Sequence, residues 1–424
     1  MLTVPYIREH RAVVETGLAK RGYKDFSILD QVISIDDRRK QSQTSLDATL
    51  SEINKLSKEI GNLYKQGKAD EAGAAKTNVT TLKEKSGSLQ EEQRKHIADL
   101  EEALLSIPNV PHVSVPSGQS EEDNEIAEDW QGELPTLPEG ALPHWELANK
   151  YNLIDFEAGV KIAGSGFVLY RGKGAKLERA LVNFFLDQAS DAGYEEVMPP
   201  HLVNAESARA TGQLPDKEGQ MYHAEKDDLY LIPTAEVPVT NIYRDTILAE
   251  SELPIKLTGY TPCFRREAGS YGADVKGLNR LHQFDKVEIV QMVDPVKSYD
   301  ILNEMVDHVR GLLEKLELPY RILRLCGGDL GFTSALTYDF EVYSAAQKRW
   351  LEVSSVSNFE TYQSNRLKLR YKDADGKKHM AHTLNGSALA LARIVASLLE
   401  NHQTPEGIRI PAALVPYTRF EMID

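Results

Sequence analysis

From residue 29 to residue 105 the chain contains no proline, and polar and charged residues dominate. The apolar residues in this stretch are spaced by threes and fours. That spacing puts them on one narrow helical stripe, the seam of a coiled coil. In the first limb the stripe reads Leu46, Leu50, Ile53, Leu56, Ile60 and Leu63. In the second it reads Ala75, Val79, Leu82, Leu89, Ile97, Leu100 and Leu104, with Ser86 and Gln93 as polar interruptions. Between the limbs lies Gln66-Gly67-Lys68-Ala69-Asp70, where glycine tolerates the backbone angles of a reversal. Two limbs of ~30 residues, rising about 1.5 Å per residue, make a rod on the order of 45 Å long. Each limb can bury its stripe only against the other. The spacing therefore predicts an antiparallel two-helix arm with no core of its own.

The arm ends at Ile107-Pro108-Asn109-Val110-Pro111. Residues 117–128 are polar and acidic, the composition of a surface linker, and Pro135, Pro138 and Pro143 keep the next segment extended. From His144 the texture changes. Runs such as Leu229-Tyr230-Leu231-Ile232 and Val287-Glu288-Ile289-Val290 read as strands, and residues 177–192 as a helix. Tyr338-Asp339-Phe340-Glu341-Val342-Tyr343 alternates apolar and polar, which favours an antiparallel strand with one covered face. The chain thus divides into an arm domain over residues 1–108, a linker over 109–143 and an α+β body over 144–424. The body has no dinucleotide-binding or P-loop glycine fingerprint, so an ATP site in it needs another architecture.

Bulk composition narrows the field. A net charge of −15 over 424 residues argues against a surface that is basic all over, though local patches can still bind nucleic acid. The two cysteines, Cys263 and Cys326, are too few and too far apart for a disulfide scaffold or a zinc site. They read as reduced core thiols of a cytosolic protein. The first residues, Met1-Leu2-Thr3-Val4-Pro5-Tyr6, lack the basic start and apolar run of a signal peptide. No stretch approaches the ~20 apolar residues of a membrane span.

Four segments carry candidate chemistry. In Thr261-Pro262-Cys263-Phe264-Arg265-Arg266-Glu267, continuing to Gly277-Leu278-Asn279-Arg280-Leu281-His282-Gln283-Phe284-Asp285-Lys286-Val287-Glu288, a strand, a polar loop and a second strand follow one another. Arginines at the end of one strand and the start of the next suit a polyphosphate, because guanidinium makes forked bonds to its oxygens. Glu267 falls on the face of Arg265 if the strand continues, and Phe284 on that of Arg280, where it can stack on a base. A charged hairpin with surface ion pairs is the plainer reading. From His382-Thr383-Leu384-Asn385-Gly386-Ser387 on, small residues open a long, largely apolar helix carrying Arg393, a cation for a phosphate or else a surface arginine. Thr234-Ala235-Glu236 is a weak signal alone. Glu352-Val353-Ser354-Ser355 offers oxygens to a hard cation such as Mg²⁺, or is a strand with a polar end.

Together these segments resemble the class II aminoacyl-tRNA synthetases, and closely the bacterial-type seryl-tRNA synthetases. Phe264 to Glu267 looks like the second signature motif of that class, and Gly386 to Arg393 like its third. Residues 177–200, ending Gly193-Tyr194-Glu195-Glu196-Val197-Met198-Pro199-Pro200, look like the dimer-forming first motif. The more specific signals are Thr234-Ala235-Glu236 and residues 263–271, 281–287 and 382–387. The resemblance covers essentially the whole chain, and the helical hairpin is the family's hallmark. It implies a coiled-coil arm joined to a class II catalytic domain with an antiparallel sheet flanked by helices.

Residue by residue, the resemblance implies that Thr234, Ala235, Glu236, Glu288 and Ser387 line a serine pocket. Arg265, Arg266, Glu267, Arg280, Phe284, Glu352, Val353, Ser354, Ser355 and Arg393 would hold ATP. Arg265 and Arg393 would act in catalysis, and Glu352 and Ser355 would hold Mg²⁺ with the nucleotide; no zinc is expected. Leu336 stands where the family commonly has a lysine and is assigned no role. The implied reaction is serine–tRNA ligation through seryl-adenylate in a cytoplasmic homodimer, with tRNA(Ser) as acceptor and tRNA(Sec) as a second one. Two other readings stand beside it: a ligase loading an amino acid onto a carrier, which should lack the arm, and a non-catalytic coiled-coil protein, which should have lost its motif residues. Lys and Arg along the arm are roughly balanced by acids, so charge alone suggests a protein-binding arm. The resemblance suggests instead a tRNA ruler that reads shape and backbone.

Overall fold

The computed structural model describes residues 1–216, 218–267 and 276–424. The end of the 263–271 run therefore lies outside the described residues. The chain forms two compact units, one of Met1–Leu18 with Tyr23–Pro108 and the other of Ala19–Gly22 with Asn109–Asp424.

In the first unit two long helices, Ser27–Lys65 and Ala69–Leu105, pair along their length. Gly67, at φ +75°, makes the reversal between them. The seam differs from the expected one in two places. Leu50 is 37% exposed and Thr49 is turned in instead; Ile97 is 49% exposed and His96 takes its place. The reason is phase. The buried positions run Ser42, Leu46, Thr49, Ile53 in one helix and Val79, Ser86, His96, Ala103 in the other, and Leu50 and Ile97 each fall one step off them. The seam tolerates small hydroxyl residues because their own helix satisfies them: Thr49 Oγ1 donates to Ser45 O at 2.8 Å and Ser86 Oγ to Lys83 O at 2.9 Å. Gln93 reaches across and donates to Gln43.

The second unit is built on an eight-stranded sheet. Its strands run in the order Glu125–Glu128, Tyr320–Arg324, Leu336–Ser344, Arg349–Asn358, His382–Ala390, Gln283–Val293, Ile255–Phe264 and Glu195–Glu196. All neighbours are antiparallel except the last pair. The acidic stretch read as a linker thus contributes an edge strand, Glu125–Glu128, with mostly exposed side chains. Helices Gly172–Asp191, Ser298–Lys315 and Leu391–Asn401 share one apolar cluster with Val287, Ile289, Phe340 and Val342 of the sheet. Leu336 is buried in the same cluster, which explains why an apolar residue is stable there. Both cysteines are buried free thiols.

Residues 382–390 do not open a helix but form a nearly fully buried strand, and the helix begins at Leu391. The strand lies between two neighbours, where small residues let the sheets of side chains close up. A Cβ on Gly386 would sit 3.2 Å from Val356 Cγ2.

Candidate active site

The Gln283–Val293 strand places alternate side chains on opposite faces. Val287 and Ile289 enter the helix-covered core, while Val290 and Met292 pack in a second cluster with Ala235 and Val239. Lys286 and Glu288 are in phase with that second set. They are deeply buried and paired, with Lys286 Nζ 2.6 Å from Glu288 Oε2. Thr234 closes the group: its hydroxyl donates to Glu288 Oε2 at 3.2 Å and accepts from Lys286 Nζ at 2.9 Å and from the Glu236 amide at 3.2 Å. That uses the full capacity of one hydroxyl.

Glu236, at the start of the short Glu236–Asn241 helix, is also buried. Burial, followed by the nearby charge of Glu288, pushes its carboxyl up to about 7. Gln363, Lys286 and Asn385 work in the other direction. Gln363 Nε2 donates to Glu236 Oε1 at 2.6 Å, and Thr383 Oγ1 orients that amide by donating to Gln363 Oε1 at 2.7 Å. Ala235 is fully buried, and Ser387 lies opposite Glu288 across the strand pair, with its carbonyl accepting from Ser354 Oγ at 2.6 Å. The five residues expected around serine therefore meet at one place. The arrangement is a buried polar cluster with two carboxyls and one ammonium, groups whose chemistry suits a small zwitterion bearing a hydroxyl.

Next to it is a cluster of cations. Arg265 follows the Ile255–Phe264 strand directly and stacks on Phe284 at 5.3 Å. Its Nε donates to Pro233 O at 3.4 Å. Arg280 pairs with Glu267 at 3.0 Å. Glu267 is not on a continuing strand as expected; the strand ends at Phe264 and Glu267 has φ +46°. Arg393 stands in the first turn of its helix and donates to two backbone carbonyls, Glu352 O at 2.6 Å and Asn279 O at 3.1 Å. Burial lowers its basicity; Glu352 opposes that, and the charges of Arg280 and Arg265 add to it. The charges of Arg265 and Arg280 raise the cost of holding Arg393 charged, a cost that an anion of several charges, such as a triphosphate, relieves.

Glu352 is 52% exposed and accepts from Ser355 Oγ at 3.5 Å. Val353 turns into the core and the Ser354 hydroxyl is bonded to Ser387 O, so neither side chain faces the cations. Arg266 is exposed and its amide donates to Gln220 O at 2.9 Å. Near Glu352 lies Asp339, buried, its carboxyl accepting from Ser355 and its Oδ1 without a partner among the described residues. Burial and then Glu352 hold its carboxyl well above the usual range. No cluster of three or more His, Cys, Asp or Glu suited to a metal occurs among the described residues. The oxygens of Glu352 and Ser355, with Asp339 Oδ1 nearby, have the chemistry of ligands for a hard cation.

Sequence reasoning assigned no role to Lys286, Gln363, Thr383, Asn385 or Asp339. Lys286 carried a usable signal, since it is two residues from both Phe284 and Glu288 on one strand. Gln363 carried none: it reaches Glu236 from a helix, Thr361–Leu367, far along the chain.

Comparison with known proteins places both units. Residues 1–111 match the Seryl-tRNA synthetase N-terminal domain family. Residues 220–402 match the tRNA synthetase class II core domain (G, H, P, S and T). The chain is 51% identical over its full length to a Serine–tRNA ligase of Salinibacter ruber, covering 99% of that protein. It is 48% identical to a Serine–tRNA ligase of Akkermansia muciniphila, with 98% of this chain and 97% of that one aligned. Among solved structures, seryl-tRNA synthetase from Pyrococcus horikoshii complexed with ATP superposes with a TM-score of 0.90 at 33% identity, covering 100% of this chain and 99% of that one. The cytoplasmic Serine–tRNA ligase from Naegleria fowleri in complex with AMP gives 0.85 at 26% identity, with the same coverage.

Proposed function

The chain belongs to the seryl-tRNA synthetases, enzymes of the class II aminoacyl-tRNA synthetase group, and we propose on that premise that it charges tRNA in two steps within the site described. In the first step the carboxylate of L-serine attacks the α-phosphate of ATP, forming seryl-adenylate and releasing pyrophosphate. In the second the terminal ribose hydroxyl of tRNA attacks the adenylate carbonyl and AMP leaves. The acceptor is tRNA(Ser), with tRNA(Sec) as a second substrate.

The observation that carries this reading is the buried Thr234, Glu236, Lys286 and Glu288 cluster beside Arg265, whose Nε bonds to the Pro233 carbonyl, with Arg280 and Arg393 near it. At that cluster Glu236 pairs with the serine ammonium. Glu288 and Thr234 engage the serine hydroxyl, exchanging the internal bond between them for one to substrate. Ala235 and Ser387 limit the size of the site. A site that bonds the hydroxyl rejects alanine strongly, up to ~10⁴-fold, because its polar groups are left unpaired. Threonine is excluded by shape, which discriminates less.

Outside that cluster, Arg265, Arg280 and Arg393 neutralise the phosphates and hold the α-phosphate in line. Phe284 stacks on the adenine, with Glu267 at its edge. Arg266, Val353 and Ser354 contact the nucleotide from its surroundings, the latter two through backbone. Glu352 and Ser355 hold Mg²⁺, which when bound supplies further charge neutralisation on the phosphates. The attack of a carboxylate on a phosphate needs no proton abstraction, so no general base is assigned.

Residues 1–108 serve as the tRNA-binding arm and 144–424 as the catalytic domain, with 109–143 linking them and adding the Glu125–Glu128 strand to the catalytic sheet. The helix Gly172–Asp191, the strand Glu195–Glu196 and Pro199-Pro200 form the contact of a homodimer, and the enzyme works in the cytoplasm. The two-step order is tested by incubating the enzyme with labelled serine and ATP, removing free nucleotide, and adding tRNA alone. Label passes to tRNA in a single turnover if the adenylate is an intermediate. No transfer without fresh ATP contradicts it.

A further inference from the structure

The catalytic unit contains a hydrogen-bonded set with a fully buried centre that touches none of the groups assigned to substrate. Its centre is the pair His144 and Glu400, whose side chains are both 0% exposed. His144 Nδ1 lies 2.7 Å from Glu400 Oε1, and the His144 amide donates to the same oxygen at 3.0 Å. Gln347 Nε2 donates to Oε1 at 3.2 Å, and Ser344 Oγ donates to Oε2. The other ring nitrogen is engaged as well: the Leu278 amide donates to His144 Nε2 at 2.9 Å. An amide can donate only to a lone pair, so Nε2 is unprotonated and the ring proton sits on Nδ1, directed at Glu400. Serine, glutamate and histidine here do not make a nucleophilic set. Ser344 bonds to the carboxylate and not to the imidazole, and all three are buried.

What the set does follows from where Leu278 lies. The next residue, Asn279, supplies the carbonyl that accepts from Arg393 Nε at 3.1 Å, and the one after it is Arg280. Gly277 is pressed against the ring: a Cβ there would come within 2.2 Å of His144 Nε2, and its φ of +69° suits glycine. At its other end Glu400 sits in the Leu391–Asn401 helix that carries Arg393. The pair therefore ties the backbone under Arg280 to the helix bearing Arg393. We propose that His144, held by Glu400, is a positioning residue for ATP: through the Leu278 amide it fixes the backbone that sets Arg280 and the Asn279 carbonyl, and so the spacing of two phosphate-binding arginines. Burial drives the Glu400 carboxyl up, but the bonds from His144 and Ser344 more than offset this and hold it below its ordinary value, which keeps the acceptor ionised. The proposal rests on the reading of Arg280 and Arg393 as ATP ligands.

The test uses two substitutions of matching size at His144 in the full-length enzyme. Asn places its amide where Nδ1 was and keeps the bond to Glu400, but loses the acceptor for Leu278. Gln reaches the Nε2 position and can present an oxygen to Leu278. In serine-dependent ATP–pyrophosphate exchange, His144→Asn is expected to raise the ATP KM about tenfold, the cost of one backbone amide left buried without a partner. The serine KM is expected to stay within about twofold, and His144→Gln to restore most of the ATP KM. Gly277→Ala, which forces a methyl against the ring without altering it, is expected to raise the ATP KM in the same way. Equal effects of Asn and Gln, or parallel changes in the ATP and serine KM, overturn the proposal. If His144→Asn does not fold, Gly277→Ala decides alone, and an unchanged ATP KM in it counts against the proposal. Arg280→Ala separates the two readings. If it leaves the ATP KM unchanged, the ATP assignment of Arg280 fails; if it raises the KM while His144→Asn and Gly277→Ala do not, only the positioning role fails.

Discussion

Lys286 Nζ and Glu288 Oε2 lie 2.6 Å apart on neighbouring same-face positions of one strand, both nearly excluded from solvent. A buried pair of this kind contributes little net stability, but removing one partner leaves the other charge stranded, at about 3–5 kcal/mol. A buried pair bonded to Thr234 and close to the Glu236 carboxyl suits a binding role. Glu288→Ala is expected to cut serine-dependent pyrophosphate exchange by about 10²-fold or more while the ATP KM changes far less. Glu288→Gln, which keeps the volume, serves as the folding control. Steady-state exchange kinetics at varied serine and varied ATP check this. Unchanged serine kinetics in the folded Ala variant rule out the assignment.

Glu236 gives a pH signature in the ligand-free enzyme. Its folded pKa, about 7, is above the 4.5 of an unperturbed glutamate, so the fold favours the protonated form. The stability linked to that proton is fully present below about pH 4.5 and is lost as pH rises through about 7. At most roughly 3 kcal/mol is involved. Urea unfolding of the wild type should therefore weaken across this window. Glu236→Gln cannot ionise, and its stability should fall less over the same range. Parallel pH profiles of the two proteins contradict the assignment.

Arg393 is fixed by a fork rather than by charge alone, with Nη1 on Glu352 O and Nε on Asn279 O. Lysine keeps the charge but cannot make both bonds. Arg393→Lys is accordingly expected to lose nearly as much as Arg393→Ala, on the order of 10²-fold in the rate of adenylate formation. Single-turnover release of pyrophosphate measures it. Near-normal rates in the Lys variant leave the fork without a role.

The arm and the catalytic unit should separate functionally. Replacing residues 38–94 by a short turn removes most of both arm helices and none of the residues assigned to serine or ATP. Seryl-adenylate formation is expected to persist and tRNA charging to be abolished. Charging of tRNA at the intact rate means that the arm serves something else.

Much of this was readable from the chain. The heptad spacing identified both arm helices and their reversal, because a two-helix seam leaves a periodic trace. It misplaced Leu50 and Ile97, since a limb containing Thr49 and His96 at buried positions looks apolar one step out of phase. The strands and the arginines flanking the 265–280 hairpin were legible because they are local. The strand at 382–390 was not: a run of small residues suits a helix start equally well, and only packing between two neighbouring strands decides. Gln363 and the His144–Glu400 pair join segments far apart in sequence, and no periodicity records such a meeting. Lys286 could have been found from alternation alone.

The central claim is that the catalytic unit activates serine for transfer to tRNA. Amino-acid-dependent ATP–pyrophosphate exchange across the common amino acids, followed by charging of total tRNA with whichever is active, tests it most directly. Exchange with serine far above alanine and threonine is expected, with serine attached to tRNA. Exchange driven best by another amino acid, or serine-dependent exchange with no tRNA charging, would contradict it.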